Sequence, residues 1–152
     1  MSTPRQHIVV MKFGGTSVED STAMLRTAAI VAGRAKKGLN PIVVVSAMSK
    51  VTDLLLDTTR MAEADDMAGI ERNLEQLTAR HLEAARDLIP AAELDRVNTE
   101  IADLVGEFRR IVNGMQMLGY RPVRAVDEAI AVGERLSALL VSEHLRSRGL
   151  AA

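Results

Sequence analysis

An α/β fold built on a parallel sheet is what this sequence predicts, on three observations. Ile8-Val9-Val10-Met11 and Ile42-Val43-Val44-Val45 are short, mostly β-branched apolar runs, the form of buried strands. Between them Leu25, Ala28, Ala29, Ala32 and Ala35 recur at helical spacing, so residues 8–46 read as one β-α-β unit with parallel strands and a right-handed crossover. Beyond that unit, residues 66–118 carry two long apolar stripes separated by Pro90, which read as an antiparallel helical hairpin.

The first strand runs straight into Lys12-Phe13-Gly14-Gly15-Thr16-Ser17. Glycines end the strand and let the backbone approach something closely. A lysine at the strand end, followed by hydroxyls and backbone N–H groups, is phosphate-binding chemistry. The lysine precedes the glycines, so this is not a Walker A loop, and G-x-G-x-x-G is absent. An ordinary β-to-α turn remains the alternative reading. Asp20 or Ser21 can cap the first helix, with Lys36-Lys37 at its negative end and Gly38 at its stop. Asn40-Pro41 reads as the turn before the second strand, expected at 42–46. Lys12 and Ser46 then share the carboxyl rim of the sheet, where open α/β sheets bind ligands.

Ser46-Ala47-Met48-Ser49-Lys50 leads into a helix starting near Val51, with Leu54 and Leu55 buried and Thr52-Asp53 in its first turn. Helix capping alone would account for Thr52-Asp53. Ile70, Leu74, Leu77, His81, Ala85 and Leu88 form the first stripe of the hairpin. The second runs from Leu94 through Val97, Ile101, Val105, Phe108 and Val112 to Leu118. His81 on such a stripe is a packed or rim histidine, and the scattered methionines are core filler. Gly119 stops the second helix, and residues 120–124 read as a connector. Asp127 to Leu145 then carries Gly133-Glu134-Arg135-Leu136-Ser137 in a last helix, with Leu136, Leu139, Leu140 and Leu145 on its buried side. Glu134 and Ser137, three apart, are expected on one face. Taken alone, Glu134 reads equally as a solvated residue or an ion pair near Arg135.

Bulk properties narrow the class. The chain has 152 residues, a length suited to one domain, and 47% of them are hydrophobic, which is not a disordered composition. A net charge of −1 gives no electrostatic case for nucleic acid or an anionic membrane. Aromatics make up 2%, too few for base stacking or a sugar platform. With no cysteine there is neither a disulfide nor a thiolate metal site, which fits a reducing compartment. Residues 1–7 have no apolar core of signal-peptide length, and no apolar run approaches the ~20 residues that span a bilayer. These features read as a soluble, cytoplasmic protein.

Three stretches together resemble the aspartate kinases of the amino acid kinase superfamily: Lys12–Ser17, Ser46-Ala47-Met48 through Val51-Thr52-Asp53, and Gly133–Ser137. The order of these stretches and the hairpin between the last two match as well. The resemblance implies an α/β three-layer sandwich of the amino acid kinase type, with residues 1–152 as its N-terminal part and no regulatory ACT domain. It implies transfer of the ATP γ-phosphoryl group to the β-carboxylate of L-aspartate, with magnesium carried by the nucleotide. Lys12 would be the catalytic cation, and Gly14, Gly15, Thr16 and Ser17 would cradle phosphates with it. Ser46 and Thr52 would line the aspartate site, and Glu134 would accept the substrate ammonium. Glutamate and uridylate kinases share the first motif but not Gly133–Ser137 after a long hairpin. A non-catalytic fragment is the rival of another class. No later loop that would hold the adenosine is visible after Ser137. These residues alone are therefore expected to turn over little substrate, and to self-associate or rely on a complementing C-terminal half.

Overall fold

The computed structural model describes residues 7–152; most of the amino-terminal segment read above for a signal peptide lies outside them. Strands β1 (His7–Phe13) and β2 (Leu39–Val45) pair in parallel, Val10 opposite Ile42 and Lys12 opposite Val44. Helix α1 (Ser21–Ala35) makes the crossover. Asp20 caps it, its carboxylate accepting from Ala23 N–H at 2.7 Å. The strand β2 begins earlier than its valine run suggests. Lys36-Lys37-Gly38 make the turn, with Gly38 at φ +78°, and Asn40-Pro41 belong to the strand. Proline lacks an N–H and is tolerated there because β2 is an edge of this two-stranded sheet.

The strands are covered on one face only. Met11, Phe13, Val43 and Val45 pack against the core, whereas Ile8 and Val10 are 63% and 67% exposed and Ile42 and Val44 about half exposed. The expectation of fully buried strands is therefore corrected for this segment. The apolar run in β2 has no alternation, so it cannot reveal which face the helices cover.

Helix α1 also lies differently on the sheet. Met24, Thr27, Ala28 and Val31 are buried, while Leu25 is 42% exposed and Ala29 is exposed. The two stripes share only Ala28. Thr27 decides between them: its hydroxyl donates to Ser17 O at 2.8 Å, turning that face toward the chain after β1.

Helix α2 (Val51–Glu63) leads to the hairpin, α3 (Met67–Leu88) and α4 (Ala91–Leu118), which Pro90 divides as expected. Asp66 caps α3, accepting from Gly69 N–H at 2.9 Å. Both stripes are inside, with Ile70, Leu74, Ile101 and Phe108 fully buried; only Leu118, the last residue of α4, stands out. Helix α5 (Val123–Ser147) packs against α4 and α2. It begins inside the expected connector because Pro122, at φ −58°, already holds a dihedral suited to a helix start. Glu143 on α5 is buried and ion-paired to Arg96 of α4 and, at 2.5 Å, to Arg146. The guanidinium of Arg96 chiefly holds its carboxyl below the usual range.

His81 is fully buried, as its stripe position implied. Its Nδ1 lies 2.7 Å from Leu77 O and donates to it, while Nε2 has no partner among the described residues. Desolvation pushes its pKa below the usual 6.5. Between the folded value and 6.5 the unfolded chain binds a proton that the folded chain does not, so stability rises with pH in that window. Stability is therefore expected to be complete above about pH 6.5 and to fall on acidification below it. Urea midpoints between pH 7.5 and 5 test this, and His81→Leu should flatten the slope. An equal slope in the variant would assign it to other groups.

Candidate functional site

All three motifs meet at one residue, Ala47. The chain leaves β1 through Gly14 and a 3-10 turn at Gly15–Ser17, closed by Ser17 N–H to Gly14 O at 2.9 Å. A Cβ on Gly15 would lie 3.1 Å from Ala47 O and 3.6 Å from Ser49 Cα. A side chain here would press on the backbone that passes after β2. On the other side, a Cβ on Gly133 of α5 would lie 2.9 Å from Ala47 Cβ and 3.0 Å from side-chain carbons of Val51 and Leu55. Ser46 N–H bonds Phe13 O at 3.0 Å, which joins the two strand ends at the same rim.

Gly133 therefore sets how closely α5 approaches α2. Gly133→Ala gains roughly 1 kcal/mol of helix propensity but overpacks a site where Ala47 Cβ is fixed to the backbone, at a cost of about 1–3 kcal/mol. A net fall of a few degrees in Tm is expected by thermal melting. An unchanged or raised Tm would mean that the helix slides aside freely.

The predicted polar residues stand around this junction. Lys12 is exposed at the end of β1, on the sheet face away from the helices, and has no ion pair among the described residues. Thr16 is exposed and Ser17 half-buried. The first N–H groups of a helical turn have no acceptor within it, so the Gly14–Ser17 turn presents donors where anionic oxygens could bind. Ser46 is half-buried and Thr52 exposed in the first turn of α2. Neither Thr52 nor Asp53 makes a capping hydrogen bond there, so the capping reading is not borne out. The cap position is Lys50, whose φ of +71° is left-handed backbone, a conformation costing of order 1–3 kcal/mol without glycine.

Glu134 and Ser137 part company. Glu134 is exposed and has no hydrogen-bond or ion-pair partner among the described residues; Ser137 is fully buried with its Oγ unpaired. Residues three apart differ by about 60° of rotation, and the waterline of α5 falls between them. Arg135 pairs at 2.6 Å with Glu107 of α4, whose carboxyl that hydrogen bond lowers. The ion pair near Arg135 thus exists without Glu134.

Arg80 of α3 was missed. Its guanidinium donates to Ser49 O at 2.6 Å and to Glu19 O at 2.8 Å, one bond to each rim loop. Ser21 Oγ donates to Asp87 of the same helix at 2.7 Å. A polar hollow lined by Glu19, Ser49, Lys50, Arg80 and Asp87 lies directly beside the rim. A second hollow, of about 440 Å³, sits on the helix side of β2 against Val31, Val43, Val141 and Leu145. None of its lining side chains is charged, and no predicted site residue reaches it, so the rim is the better site for polar chemistry. No three His, Cys, Asp or Glu side chains gather as a metal cage among the described residues.

Residues 7–152 match the family model described as the amino acid kinase family. The chain belongs to that family. Within it, the chain is similar to aspartokinases. Lysine-sensitive aspartokinase 3 of Escherichia coli (strain K12) is 35% identical over 150 residues, covering 95% of this chain and 30% of its own length. Bifunctional aspartokinase/homoserine dehydrogenase 1, chloroplastic, of Arabidopsis thaliana is 30% identical over 141 residues, 93% of this chain and 15% of its own. The crystal structure of E. coli aspartokinase III in complex with aspartate and ADP (R-state) has a TM-score of 0.80 at 30% identity, over 95% of this chain and 30% of that one. The complex of that enzyme with lysine and aspartate (T-state) gives the same values. This chain thus spans 15–30% of the length of these relatives. Its α/β class and helical hairpin are those of the aspartokinase fold.

Proposed function

We propose that this chain forms the acceptor and phosphate side of an aspartate kinase site. The observation that carries the proposal is the meeting of the three motifs at Ala47. An oxygen of the L-aspartate β-carboxylate attacks the γ-phosphorus of ATP, the bond from that phosphorus to the bridging oxygen breaks, and ADP leaves with 4-phospho-L-aspartate as product. Such transfers need positioning and charge stabilisation more than covalent help from the protein. Lys12 meets charge developing on the transferring group, and donors of the Gly14–Ser17 turn hold phosphate oxygens. Ser46 and Thr52 line the acceptor, and Glu134 pairs with its ammonium. Magnesium enters with ATP, held by the nucleotide's own phosphates. This reading places the chain at the entry to lysine, threonine and methionine synthesis.

No helix among the described residues is long and apolar enough to cross a membrane. A cytoplasmic setting agrees with the absence of cysteine, although the Arabidopsis relative is chloroplastic. The open sheet face of Ile8, Val10, Ile42 and Val44 favours association, with another copy or with a complementing polypeptide. Aspartate-dependent ADP release with saturating ATP and Mg²⁺, measured on a kinase domain that includes these residues, and the mass of this chain in solution test the two readings. Release independent of aspartate would remove the assigned acceptor, and a clean monomer would remove the association.

A further inference from the structure

We infer that Arg80 is a positioning residue that fixes the distance between the phosphate loop and the acceptor loop. This rests on the phosphoryl-transfer reading for its catalytic consequence, but not for its geometry. Glu19 O follows the Gly14–Ser17 turn and Ser49 O follows Ser46, so the two carbonyls belong to the two halves of the rim. The guanidinium holds both at once, from a helix 31 and 61 residues away in sequence. Arg80 is half-buried and makes no ion pair among the described residues; its donors go to neutral backbone. Nothing in the hairpin's apolar packing calls for that arrangement.

Two further features fit the same device. Lys50, the residue after Ser49, is held in left-handed backbone, which persists only where its surroundings over-determine it. The grip of Arg80 on Ser49 O and the bond from Val51 N–H to Met48 O at 2.9 Å fix the peptides on either side. Two turns along the same face of α3, Asp87 ties Ser21 and so fixes the end of the first loop. The hairpin is thus a brace for the rim as well as core. A planar fork can span two carbonyls, whereas a lysine ammonium is a single point on a flexible stem. Alignment of the donor phosphoryl with the acceptor supplies much of the rate in such reactions.

The experiment compares Arg80→Lys and Arg80→Ala with the unmodified full chain. Amide hydrogen exchange reads the tie without any substrate. Both variants should exchange faster in residues 14–20 and in residues 46–50 together, while α3 keeps its protection. In the kinase assay, run on a kinase domain that includes these residues, Arg80→Lys should lower kcat roughly tenfold, with KM for ATP and for aspartate within about twofold. Guanidinium ion at low millimolar concentration should restore part of the kcat of Arg80→Ala. Unchanged exchange in either segment, or loosening throughout α3, would overturn the tie. Looser loops with normal kcat would overturn the positioning role. If a kinase domain that includes these residues transfers no phosphoryl group to aspartate, the kinase reading fails, and the exchange experiment on this chain alone decides the brace.

Discussion

In a complete kinase domain, Lys12→Ala is expected to lower kcat by about 10²-fold or more and to leave Tm almost unchanged. The two halves of this expectation come from different observations. The rate loss follows from position: Lys12 is the last charged residue of β1 and stands beside the Gly14–Ser17 turn at the carboxyl end of the strand. A cation there meets charge that grows as the phosphoryl group moves, and so acts more on the transition state than on the bound substrates. The unchanged Tm follows from exposure. Lys12 has no partner among the described residues, and a surface substitution of that kind shifts stability by about 0.5 kcal/mol or less. Steady-state kinetics together with a thermal melt make the test. Near-normal kcat would show that the lysine merely solvates the open sheet face. A fall in Tm parallel to the loss of activity would show that it holds the strand end in place. Lys12→Arg keeps the charge but places it differently, so partial activity is expected there.

Most of the fold was legible because its signals are local. A β-branched run ending in Gly14-Gly15, a proline between two apolar stripes and a glycine after Leu118 each name an element boundary within a few residues. What failed depended on partners elsewhere in the chain. The face that α1 buries could not be read from its alanines, because the Leu25 stripe and the Met24 stripe are both helical; a hydrogen bond from Thr27 to Ser17 O separates them. Asn40-Pro41 has the composition of a turn, yet Lys36-Lys37-Gly38 had already made it. The candidate site divides the same way. Lys12, the glycine turn and Glu134 lie in compact motifs, and the role proposed for Glu134 comes from the resemblance those motifs carry. Arg80 lies in no motif, since its partners are backbone carbonyls that any sequence provides. The reason for Gly133 appears only when Ala47, 86 positions earlier, comes to rest against it.

Glu134→Gln is expected to raise the KM for aspartate by about tenfold to a hundredfold, with the KM for ATP changing by no more than roughly threefold. The magnitude is that of a hydrogen bond between charged groups, about 1.5–3 kcal/mol, at 1.4 kcal/mol per tenfold. Glu134 is exposed here, and water weakens such a pair, so the lower part of that range is the better expectation. Stability should not change, because the carboxylate has no partner among the described residues to lose. Gln keeps the shape and one acceptor oxygen, so the substitution tests charge rather than packing. The acceptor's ammonium gives a sharper control. Succinate has both carboxylates of aspartate and lacks only the amino group. If Glu134 pairs with that ammonium, the variant loses affinity for aspartate while binding of succinate, measured by competition, stays where it was. The preference for aspartate over succinate then falls by the same factor by which the KM for aspartate rises. Equal weakening toward both acids, or equal losses for aspartate and ATP, would mean that Glu134 acts on the shape of the rim and that the ammonium is held by another group.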